Sequence, residues 1–82
     1  MEVISDKDRF TFEKYINKYE YKDLANKTNS KESTIKSIIQ QRRKISTKNK
    51  HIYEAIMEQA INNMYVELDE INFYLKNNEK TH

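Results

Sequence analysis

In 82 residues this chain has neither a glycine nor a proline. That absence constrains the fold more than any residue that is present. Tight β-hairpins lean on Gly for backbone angles that other residues resist, so a sheet-rich fold would lack its turns. Reversals of the chain fall instead to Asn, Ser and Asp, which bond their own backbone and, in the case of Asn, tolerate a left-handed conformation. The expectation is an all-α protein whose helices are interrupted only at such residues.

A chain of this size makes one small domain, or one domain plus an appendage. Its core is modest, and domains of this kind often draw further stability from a partner subunit. There is no Cys, which excludes disulfides and thiolate metal sites. No apolar run approaches the length of a membrane span, and Met1-Glu2-Val3-Ile4-Ser5-Asp6 does not read as a secretion signal. The expected location is the cytoplasm, with no membrane partner.

The net charge of +2 hides an asymmetry. Residues 1–32 carry seven acids and seven bases. Between Glu32 and Glu54 there is no acid, while Lys36, Arg42, Arg43, Lys44, Lys48 and Lys50 supply six positive charges. Residues 54–82 then carry six acids and two bases. A basic centre of this kind is the expected footprint of phosphate binding, although a solvated surface has the same composition.

Read along the chain, Ser5 is placed to cap a first helix over about 6–18, with Asp8 three residues on. Phe12, Tyr15, Ile16 and Tyr19 share its inner face, and Phe10 is expected to be partly covered. A second helix covers about 21–27 with Leu24 and Ala25 inward. Thr28-Asn29-Ser30 forms the turn. A third helix runs over about 31–41, capped by Ser30, with Ile35, Ile38 and Ile39 inward and Lys31, Glu32, Ser33, Lys36, Ser37 and Gln40 outward. Ile45 anchors the basic connection that follows, and Ser46 or Thr47 is positioned to cap a further helix. Nothing breaks that helix from about 48 to 76. Ile52, Ile56 and Ala60 are expected to face the core. Residues 77–82 are expected to fray.

Within the last helix Met57, Ile61, Met64, Leu68, Ile71 and Leu75 are spaced by four, three, four, three and four residues. This is a heptad seam, with Ile61, Leu68 and Leu75 at a and Met57, Met64 and Ile71 at d. It is short for an independent coiled coil. Either it folds back on its own domain or it pairs between chains. Because the first 56 residues hold enough apolar groups for their own core, pairing between chains is the expectation. The organisation is therefore a domain over 1–56 and a dimerisation helix with its tail over 57–82.

The stretch Tyr21–Gln40 has the spacing of a helix-turn-helix. Leu24 and Ala25 are followed by Asn29 at the turn and by Ile35 and Ile38 on the second helix. In this the chain resembles the Cro/C1-type (lambda-repressor-like) helix-turn-helix family of phage and bacterial regulators over about residues 10–56. Ala25 meets the family's small fifth position and Leu24 the aliphatic residue before it. Ile35 and Ile38 meet the fifteenth and eighteenth positions. Two residues depart from the pattern: Asn29 stands where the family has Gly, and Ser30 where it has an aliphatic residue. The family also has five short helices, whereas here the last ones merge into a single long helix.

The resemblance implies that the third helix enters the DNA major groove. Base contacts are then expected from Lys31, Glu32, Ser33, Lys36, Ser37 and Gln40. Gln is suited to adenine and Lys to guanine. Phosphate contacts are expected from Tyr21, Lys22, Arg42, Arg43, Lys44, Lys48 and Lys50. A homodimer through Met57–Leu75 would read two half-sites about 34–36 Å apart. The overall expectation is a transcriptional regulator, a repressor, acting on double-stranded DNA. Its small size and Lys/Asn/Ile-rich composition suit a phage or other mobile element. The rival is a protein–protein interaction module on the same scaffold, antitoxin-like or a phage inhibitor of a host protein, with its partner on the C-terminal stripe. RNA binding ranks third, since no stacking-aromatic motif is present. An enzyme is not expected: His51 and His82 are isolated, Glu67, Asp69 and Glu70 fan out around a helix rather than gather, and there is no Gly-rich phosphate loop. No cofactor and no metal are expected.

Overall fold

The computed structural model describes residues 2–80, with side chains through Asn77. It is all-α: α1 (Asp6–Tyr15), α2 (Glu20–Lys27), α3 (Glu32–Ile39) and a long α4 (Lys50–Lys80). Thr81 and His82, the end of the stretch expected to fray, lie outside the described residues. From Asn77 to Lys80 the backbone stays helical rather than fraying.

Ser5 caps α1 as its sequence predicts, its hydroxyl accepting the Asp8 N–H at 3.1 Å. The helix ends at Tyr15, three residues before the predicted limit, because Ile16 turns to extended angles (φ −90°, ψ 122°) and enters the core. Asn17 and Glu20 then open α2. The Glu20 carboxylate accepts the Asn17 N–H at 2.8 Å, an arrangement like the reciprocal bonding of a capping box. Two expectations fail. Tyr19, predicted on the inner face of the first helix, stands 76% exposed at the start of α2, and Phe10 is 68% exposed rather than partly covered.

Without glycine, both short helices still end in a left-handed residue. After α2, Asn29 has φ 54°, and Ser30 donates to the Ala25 carbonyl at 2.8 Å. After α3, Gln41 has φ 60°, and Arg42 donates to the Ser37 carbonyl at 2.9 Å. These are the six-to-one bonds of a Schellman ending. Ser30 does not cap α3, whose preceding residue, Lys31, offers no side-chain bond. The buried Thr28 hydroxyl donates to the Leu24 carbonyl at 2.7 Å, which leaves the Ser30 hydroxyl to donate to Thr28 at 2.7 Å. Hydroxyl pairing thus satisfies a half-buried site where an aliphatic residue would pack.

Gln41 is anchored as well as strained. Its amide donates to the Ile4 carbonyl at 2.9 Å and to Asp6 at 2.8 Å, and its carbonyl oxygen accepts from Arg9 at 3.2 Å. Left-handed backbone costs a non-glycine residue about 1–2 kcal/mol, less for Asn. Asn29→Gly is therefore expected to be neutral or to stabilise by up to about 1 kcal/mol. Gln41→Gly relieves more strain yet loses three side-chain bonds, and should destabilise by about 1 kcal/mol net. Urea midpoints separate the two, and a Gln41→Gly protein as stable as Asn29→Gly would remove any role for the staple.

The core joins Phe12, Ile16, Leu24, Ala25, Ile35, Ile38 and Ile39 to Ile52, Ala55, Ile56 and Ala60 of α4. Ile4, from the extended N-terminal segment, completes it. That segment is held in place where Ile45 donates to the Glu2 carbonyl at 3.0 Å. Ahead of α4, the carboxamide of Asn49 accepts from Ser46 N–H at 2.7 Å and donates to the Lys44 carbonyl at 2.9 Å. Asn49, rather than a hydroxyl of Ser46 or Thr47, organises this turn, and α4 starts two residues later than predicted.

Polar clasps lock α4 to α1 and to the start of α2. Asn63 donates to the Tyr15 carbonyl at 2.7 Å and to Glu20 at 3.0 Å. Tyr53 donates to Asp8 at 2.6 Å. That bond to the Asp8 carboxylate, with partial burial, pushes the Tyr53 phenol from an ordinary 10.0 up to about 12. A raised pKa stabilises the fold fully below the unfolded value and loses that contribution as pH rises through the folded one. Tyr53→Phe should accordingly cost about 1 kcal/mol at neutral pH, screened because the group is partly exposed. The gap between the two proteins should close between pH 10 and about 12. Paired urea titrations at pH 7 and pH 11 check this, and a pH-independent gap would contradict it.

Candidate functional site

α3 turns its three isoleucines into the core and its polar side outward. At about 100° per residue, Ser33, Lys36, Ser37 and Gln40 fall within roughly a quarter-turn of one another, opposite Ile35, Ile38 and Ile39. Lys31, Glu32, Ser33 and Lys36 are exposed, and Ser37 and Gln40 are half-buried. The Ser37 hydroxyl donates to the Ser33 carbonyl at 2.7 Å. What it offers outward is therefore acceptor capacity. The Gln40 carboxamide makes no hydrogen bond among the described residues, so both its donor and its acceptor remain available. Its backbone carbonyl is fixed by Arg9 at 3.4 Å.

The cations follow in sequence from this face. Arg42, Arg43, Lys44 and Lys48 are exposed, and like Lys36 they have no ion-pair partner among the described residues. Lys50 is only loosely paired with Glu54, at 3.9 Å with both side chains mostly in solvent. Such a pair contributes little. Lys22 is exposed. Tyr21, in contrast, packs against the core. Burial first, and the neighbouring Glu13 charge second, raise its phenol pKa. With a carboxylate beside it, Tyr21 is the least suited of the seven expected phosphate contacts.

One link was not legible in the sequence. His51 at the start of α4 places Nε2 3.3 Å from the Thr28 carbonyl, tying the end of the basic connection to the α2–α3 turn. A lone His beside Lys50 carries no pattern that would reveal this. Asn63 and Glu20 were likewise hidden, because their partners lie 48 and 43 residues away.

The seam residues divide into two groups. Met57 leans on the core of its own chain, so it is already partly used, and Met64 is half-buried. Ile61, Leu68, Ile71 and Leu75 are 40%, 50%, 49% and 54% exposed. Tyr15, Met64, Glu67, Leu68 and Ile71 line a shallow groove of about 300 Å³ where the end of α1 meets α4. Beyond Met64, α4 projects from the body, which extends the molecule to 54 × 25 × 18 Å. Val66 and Phe73, exposed on the far side of α4 from the seam, were not singled out by the heptad pattern. No helix among the described residues is long and apolar enough to cross a membrane.

Comparison with protein-family models, with curated proteins and with solved structures finds no significant match to this chain.

Proposed function

We propose that this protein is a sequence-specific double-stranded DNA-binding regulator, a repressor, that acts in the cytoplasm as a homodimer. The observation that carries this reading is the set Lys36, Arg42, Arg43, Lys44 and Lys48, exposed and unpaired among the described residues, running on from a polar helix face behind a tight turn. Cations without acid partners cost nothing to redirect to phosphate, whereas paired ones must first be separated. Ser33, Lys36 and Gln40 carry the donors and acceptors that discriminate base edges, with Lys31 and Glu32 at the leading end of α3. The cationic residues fix position and supply affinity. One α3 reads only a few base pairs, so a second copy, joined through α4, supplies the remaining specificity.

Binding selection from a random duplex DNA library at moderate salt tests the reading. A two-fold symmetric site should be enriched. Binding without enrichment would reduce the protein to a phosphate-driven binder, and no binding would overturn the proposal.

A specific feature favours a second reading, an interaction module for another protein. Val66 and Phe73 add two exposed apolar side chains on the far side of α4 from the seam, where a two-stranded coil does not cover them. Failure to bind any duplex would direct attention to that surface.

A further inference from the structure

We infer that the two copies pair their α4 helices antiparallel, so that each globular body sits beside the bare end of its partner's helix. This rests on the homodimer proposed above and adds its geometry.

The spacing of the seam reads the same in both directions. Run antiparallel, a positions face d positions, and one register satisfies all six residues at once: Met57 opposite Leu75, Ile61 opposite Ile71, and Met64 opposite Leu68. The paired stretch is about 27 Å long. A parallel pair would also match every seam residue, each to its own copy, so the surroundings of the seam decide. Its first half is crowded by its own body. Met57 packs on the core, Ala60 is fully buried, Asn63 is held by Tyr15 and Glu20, and Met64 is half-buried. Its last half, Leu68 to Leu75, carries only exposed side chains. Parallel pairing sets crowded end against crowded end. Antiparallel pairing sets each crowded end against a bare one.

The area suffices for a specific contact. The exposed parts of Ile61, Leu68, Ile71 and Leu75 with the flanking Tyr65 and Tyr74 amount to on the order of 600 Å² per chain, and hiding them on both copies gives on the order of 1,200 Å², the lower end for stable interfaces. The bodies, centred alongside Ile52 to Ala60, then lie roughly 30 Å apart along the pair. That is near the 34–36 Å or so between successive major-groove sites on one face of DNA.

Because the chain has no Cys, thiols can be placed one at a time. Full-length Ile61→Cys and Ile71→Cys proteins are mixed and mildly oxidised, with sedimentation of the unmodified protein alongside. A disulfide needs Cα atoms within about 7 Å. In the antiparallel register positions 61 and 71 meet, while either position lies about 15 Å along the axis from its own copy. The mixed disulfide should therefore exceed either self-disulfide by at least about tenfold. Predominant self-disulfides would establish parallel pairing and overturn the inference while leaving the dimer intact. A sedimenting dimer with no disulfide would move the interface off the seam. A monomer at high concentration would remove the dimer itself.

A second variant reads the same geometry without thiols. Antiparallel pairing brings Glu67 beside the Glu67 of the other copy, whereas parallel pairing sets it opposite Asn72. Glu67→Gln should tighten the antiparallel dimer about two- to fivefold. Unchanged affinity would contradict it.

Discussion

Phe12→Ala is expected to destabilise the body by about 3–5 kcal/mol, the range for emptying a buried aromatic site. A domain of this size is stable by only about 5–10 kcal/mol, so much of its margin disappears. Phe12 is 0% exposed and sets its ring 6.0 Å from that of Tyr53, at 60°, where α1 meets α4. This tilted contact adds to the area buried. Removing the ring also withdraws the packing beside the Tyr53–Asp8 bond. Urea denaturation should be followed through the core isoleucine methyls by NMR, because the projecting half of α4 need not melt with the body. Phe12→Leu, which keeps most of the volume, should cost less than half as much. An alanine protein within about 1 kcal/mol of the parent would show that the α1–α4 junction closes over the space and that α2 and α3 hold the core without it.

The same junction shows what a sequence can and cannot disclose. Ile35, Ile38, Ile52, Ile56 and Ala60 repeat at helical spacing, so their burial was legible from period alone. Asn29 was legible as a turn because so few residues accept a left-handed backbone. Ser5 announced α1 through a local bond of three residues' reach. Gln41 was not legible, since its bonds to Ile4, Asp6 and Arg9 span more than thirty residues and Gln has no preference for positive φ. Nothing periodic marks Ile4 either, for it lies in an extended segment and belongs to the core only because Gln41 and Ile45 hold that segment down. The early end of α1 has the same origin, with Ile16 placed by burial in the core rather than by helix propensity. For the candidate site, the acid-free basic stretch and the polar face of α3 stood out as composition. The lesser suitability of Tyr21 did not, since it depends on Glu13 and on burial that only the packed structure sets.

Replacing Arg42, Arg43, Lys44 and Lys48 together with alanine should weaken DNA binding on the order of a thousandfold at about 0.1 M salt, on every sequence alike. Each phosphate contact releases about 0.9 counterion, so the slope of log affinity against log salt should flatten by about 3.6. The fold itself should not suffer. All four side chains are exposed and lack ion-pair partners among the described residues, and removing clustered like charges relieves self-repulsion. An unchanged melting temperature is therefore part of the expected result, and it separates lost contacts from lost structure. Gln40→Ala offers the contrast, because a base contact changes which sequences are preferred while barely altering the salt slope. If the fourfold variant kept the parental slope, phosphate would be neutralised elsewhere, and the basic connection would be no more than a solvated surface. If Gln40→Ala weakened binding to every sequence alike and left preference untouched, the outer face of α3 would lie on the backbone of the duplex instead of in its groove.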